Sequence, residues 1–94
     1  MPERSEIVQA LYRAVSQTNE ALADSDKLAC EETEQILGDG AKLDSLGFVS
    51  LMVAIETELE ELAGSCPSLA EELSDPDVGV TTLGDLADWV APKL

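Results

Sequence analysis

The chain has 94 residues, with 20 Asp or Glu, five Lys or Arg and no His, for a formal charge of −15. Such a charge repels phosphate backbones and anionic lipid heads, which argues against nucleic-acid binding and membrane insertion. The missing imidazole excludes Ser–His–Asp and Cys–His nucleophiles as well as histidine metal ligands, so no catalytic residues and no metal site are expected.

The length fits one domain over residues 1–94 with a modest core, and 45% apolar residues suffice to build that core despite the charge. Tyr12, Phe48 and Trp89 are the aromatic residues, so the core must be mostly Leu, Ile, Val and Ala, which suits helices. Cys30 and Cys66 show no Cys-x-x-Cys pattern and read as free thiols of a reduced, cytoplasmic chain. The start Met1-Pro2-Glu3-Arg4 has no apolar signal core, and no run approaches the ~18 apolar residues of a membrane span.

In chain order, Ile7, Leu11, Val15 and Leu22, with Ala14 and Thr18 between, recur at helical spacing and predict a helix from about Glu3 to Leu22. Asp24-Ser25-Asp26 breaks the pattern. Leu28 and Cys30 are wrong for oxygen ligands, so this is not a calcium loop. A long loop to Asp44 follows, with a short helical turn expected at Glu32–Leu37 and a turn at Gly38-Asp39-Gly40. A second helix is predicted from Ser45 to about Leu62, capped by Asp44 and ended by Gly64 in the left-handed conformation. Ser68-Leu69-Ala70-Glu71 has capping-box spacing and predicts a short helix to Leu73, stopped by Asp75-Pro76-Asp77. Thr82-Leu83-Gly84-Asp85 predicts a similar box opening a last helix to Ala91, closed by Pro92. The expected fold is all-α, a four-helix bundle of three main helices and one short one, with the long loop between the first and second.

The second helix carries two apolar stripes on a wheel of about 100° per residue. Phe48, Leu51, Ile55, Leu59 and Leu62, with Met52 at the edge, form the core stripe. Leu46, Val49 and Val53 fall roughly opposite, flanked by Ser50, Glu56, Thr57 and Glu60. So small a core rarely covers both sides of one helix, so the second stripe either lies under the long loop or is a docking patch. No basic residue stands between Lys42 and Lys93, so acidic groups surround the stripe, a pattern suited to steering a basic partner. An unmodified acidic adaptor seated in a basic groove through Leu46, Val49 and Val53 is one function that fits.

At the head of this helix stands Leu43-Asp44-Ser45-Leu46-Gly47. Unpaired backbone N–H groups and the helix dipole favour an anion attached at Ser45, although Asp and Ser also serve as plain caps. The string from Asp39 to Glu56 resembles the modification site of the acyl carrier protein family. The likeness extends to the long first helix, the long loop, the acidic second helix, the short third helix, and Thr82–Asp88 as the Thr-Leu-Gly-Asp-Leu-Ala-Asp start of the last helix.

The resemblance implies a stand-alone, monomeric carrier that catalyses nothing itself. A phosphopantetheinyl transferase would attach 4′-phosphopantetheine from coenzyme A to Ser45, flanked by Asp44 and Leu46. The arm would carry acyl or aminoacyl cargo as a thioester. An adenylating ligase or acyltransferase would load it, and a downstream synthase or transferase would unload it. The resemblance maps the partner-facing positions onto Leu46, Val49, Val53 and Glu56, with Ser50 and Glu60 in the same stripe and rim. Many fatty-acid-type carriers have acids two and five positions after the serine, where this chain has Gly47 and Ser50. In this the chain is closer to D-alanyl carrier proteins. Phe48 is expected to point inward and narrow the cleft, implying a short cargo.

Overall fold

The computed structural model describes residues 3–22, 27–37, 45–66, 68–73 and 78–94. Asp24-Ser25-Asp26, Gly38-Asp39-Gly40, Asp44, Pro67 and Asp75-Pro76-Asp77 lie outside the described residues.

The helices are α1 (Arg4–Asn19), α2 (Ser45–Ala63), α3 (Leu69–Glu72) and α4 (Leu83–Val90), followed by a 3₁₀ turn at Ala91–Lys93 that takes in Pro92. Among the described residues there is no strand, only an isolated antiparallel bridge between Gln35 and Thr82. The described residues are therefore all-α, with three substantial helices and one single-turn helix. Its radius of gyration is 12.0 Å, close to the ~12 Å of a well-packed chain of this length.

The α1 stripe is buried as its periodicity requires: Ile7, Leu11, Ala14, Val15 and Thr18, joined by Val8 and Ala10. The helix ends at Asn19, earlier than the apolar spacing predicts. The Asn19 side-chain amide turns to the following loop, donating to the Leu28 carbonyl at 2.9 Å and accepting the Leu28 N–H at 2.8 Å. Asn often makes such side-chain-to-backbone bonds in preference to continuing a helix. On α2, Leu51, Met52, Ile55 and Leu59 are fully buried, while Phe48 and Leu62 are half-buried against the same core. Gly64 ends α2 at φ +87°, a conformation glycine adopts without a Cβ penalty.

Two local expectations are corrected. The Glu32–Leu37 segment does not form a helical turn as a whole. It turns at Glu32–Thr33 and then runs against the entry to α4, where Ile36 N–H donates to the Thr81 carbonyl at 2.7 Å. Its carbonyls take up N–H groups of the first α4 turn: Leu83 N–H donates to Glu34 at 3.1 Å and Gly84 N–H to Glu32 at 2.9 Å. Gly84 allows the approach, since a Cβ there would stand 3.1 Å from the Glu32 carbonyl oxygen. Second, the Ser68 side chain makes no cap hydrogen bond. The Leu69 N–H instead faces the Glu56 carboxyl of α2 and favours its charged form. The Thr82–Asp85 box does form: Asp85 N–H donates to Thr82 Oγ1 at 3.1 Å and Thr82 N–H to Asp85 Oδ2 at 3.3 Å.

Candidate functional site

The second α2 stripe is solvent-facing. Leu46 is 76% exposed, Val49 46% and Val53 55%, the exposed large apolar residues among those described. The described part of the long loop, residues 27–37, leaves the stripe uncovered. Each such side chain left in water forgoes about 1.5–3 kcal/mol of transfer free energy, so three along one helix form a feature with an energetic consequence. Ser45 is the first residue of α2, and the stripe starts one residue later.

The flanking residues divide by environment. Ser50 and Glu60 are exposed beside the stripe. Glu56 is half-buried and engaged with α3. Burial raises its carboxyl above the ordinary glutamate range, nearby Glu60 and Glu71 push the same way, and the Leu69 N–H pulls it back. Glu56 therefore has a structural task that sequence spacing does not reveal. Cys66 lies close by, half-buried, its thiol pushed up to about 12 by burial and by Glu56, Glu60 and Glu72. It is protonated at neutral pH and a poor nucleophile.

Beside the stripe runs a groove of about 560 Å³. Its α2 wall is Leu46, Gly47, Ser50, Val53, Ala54 and Thr57. Gln17, Thr18, Ala21 and Leu22, at the end of α1 and just beyond, form the opposite wall. The α1 wall is missing from the sequence reading, because helical periodicity orders residues within one helix and not across two. The signal available was on α2, where Ser50, Val53 and Thr57 follow Leu46 without a charge on one side of an otherwise acidic helix.

A half-buried ion pair with a neighbouring amide links the two walls. Glu58, with its side chain only 10% exposed, accepts from Arg13 Nε at 3.1 Å and from Gln17 Nε2 at 2.7 Å. At the far end of α1, Arg4 Nε donates to Asp88 at 2.7 Å, and Arg4 also pairs with Glu32. These partners hold the Arg4 guanidinium charged and keep the Glu32 carboxyl below its usual range.

These features define an acidic, all-α chain whose second helix offers an apolar stripe and an uncharged groove next to an N-terminal serine. No protein-family model, curated protein or solved structure matches it.

Proposed function

We propose that the chain is a stand-alone carrier in a four-helix arrangement of the acyl carrier protein type, bearing 4′-phosphopantetheine on Ser45. The observation that carries this reading is the exposed Leu46/Val49/Val53 stripe, which starts one residue after the serine that heads α2. A carrier must present its modified residue and a recognition patch on one accessible helix, because partner enzymes supply all the chemistry. The start of α2 suits such a group: Leu46 is mostly in solvent, and the uncharged groove beginning there accommodates a long neutral chain. When attached, the group supplies a terminal thiol that holds cargo as a thioester. The tether keeps that cargo at high effective concentration before successive partners.

Leu46, Val49 and Val53 would contact those partners, with exposed acids such as Glu60 orienting the encounter. Phe48, packed against the core, would leave little room for a chain threaded inside the bundle, and the cargo is accordingly short. A long acyl chain shielded from solvent inside the loaded bundle would overturn that part.

Incubation with coenzyme A and a broad-specificity phosphopantetheinyl transferase, read by intact mass, tests the reading. One added phosphopantetheinyl unit, lost in Ser45→Ala, is the expected result. The exposed stripe equally supports an unmodified acidic adaptor seated in a basic groove. An adaptor gains no mass, and its binding is abolished by Val53→Asp.

A further inference from the structure

We infer that the groove between α1 and α2 is the resting site of the pantetheine arm, which lies along the outer face of α2 instead of hanging free or entering the core. This rests on the carrier reading and adds a binding site to it. Position is the first argument. The groove opens at Leu46 and Gly47, next to Ser45, and runs to Thr57. Leu46 to Thr57 covers eleven helical steps, about 16 Å. A pantetheine chain, comparable to an extended peptide of four or five residues, reaches about 15 Å. The volume of 560 Å³ lies within the ~300–1,000 Å³ of small-molecule sites.

Charge is the second argument. The chain is 27% charged, yet none of the ten described residues lining the groove is. A basic side chain from a partner would find no counter-ion there, whereas a neutral chain loses little on entering. Gly47 and Ser50, the positions where many related-looking carriers hold acids, both belong to this wall. The departures that weaken charge-based docking are thus the residues that leave the groove neutral and open.

Hydrogen-bonding capacity is the third. Thr18 Oγ1 donates to the Ala14 carbonyl at 3.0 Å and Thr57 Oγ1 to the Val53 carbonyl at 3.0 Å. Gln17 Nε2 donates to Glu58 at 2.7 Å. The two hydroxyl protons are committed to the protein, so Thr18 and Thr57 have oxygen lone pairs left to offer, and Gln17 adds its amide oxygen as an acceptor beside one remaining N–H. An acceptor-rich strip interleaved with the methyls of Ala21, Leu22, Val53 and Ala54 matches a ligand carrying amide N–H donors on an aliphatic chain. Pantetheine has two such amides and a geminal dimethyl group.

The test uses the full chain loaded with unacylated arm from coenzyme A, with loading verified by mass. Nuclear Overhauser contacts are then sought between the geminal dimethyl group and the methyls of Ala21, Val53 and Ala54, with amide shifts at Thr18 and Thr57. Leu22→Trp, which fills the groove from the α1 wall, is expected to load to the same mass while losing these contacts. Ala21→Trp on the same wall gives the same reading at Val53 and Ala54 should Leu22→Trp fail to fold. A loaded protein whose contacts and shifts stop at Phe48 overturns the groove site and leaves the carrier reading standing. A chain that gains no mass removes both.

Discussion

Asp85 has two tasks in one side chain. It accepts from the Thr81 and Thr82 N–H groups and from Thr81 Oγ1 at 3.0–3.3 Å, while its own N–H reaches Thr82 Oγ1. The Thr81 bonds come first in holding its carboxyl below the ordinary aspartate range, with Thr82 adding to them. A carboxyl more acidic when folded than unfolded stabilises the fold above the unfolded pKa of about 3.9, and that contribution is lost as pH falls through the lower folded value. Asp85→Ala is expected to cost about 1 kcal/mol in urea unfolding at pH 7, the usual worth of a cap, and proportionally less as the medium is acidified below pH 4. Equal costs at pH 7 and pH 3 would show that the ionised carboxylate is not what caps α4.

At the level of elements, the two faces of α2 should answer mutation in opposite ways. Ile55 is fully buried between helices, so Ile55→Ala is expected to lose about 2–5 kcal/mol of stability. Val53, two residues away and 55% exposed, should cost within about 0.5 kcal/mol as Val53→Ala while slowing loading by the transferase. Comparable destabilisation by both would mean that the outer stripe is covered in solution. That two-faced character was legible in the sequence, because three- and four-residue spacing fixes faces within a helix. So were the α1 stripe, the Gly64 stop and the Thr82–Asp85 box, each a local signal. Long-range contacts were not legible. Nothing near Glu32 announces that its carbonyl will meet Gly84, which lies 52 positions on. Nor does Ser68 reveal that the start of α3 will face Glu56 of another helix. Within the candidate site, the serine and stripe could be read from one helix, but the groove needs α1 as a second wall, and the side-chain amide of Asn19 sets where α1 stops.

For the molecule as a whole, the charge of −15 acts in two directions. Arg4 and Arg13 are both tied to carboxylates, so they do little to offset the field beyond their own pairs. Salt shortens the reach of exposed charges from about 30 Å at 0.01 M to about 10 Å at 0.1 M. Self-repulsion is then screened and the melting temperature should rise, while, on the carrier reading proposed above, steering of a basic transferase weakens and its loading rate should fall several-fold. A loading rate indifferent to salt would leave the apolar stripe as the sole recognition element. The Arg4–Asp88 pair has a separate consequence for how the molecule can be attached to something else. It joins the first turn of α1 to a residue six positions before Leu94, so residues 4 and 88 meet at one pole. Gln17 stands thirteen helical steps from Arg4, about 20 Å along α1, at the groove end. A surface or a label attached at residue 4 or residue 88 would therefore stand about 20 Å along α1 from the groove. The molecule is thus laid out like a tool with a handle: holding it at the Arg4–Asp88 pole leaves the groove free to work.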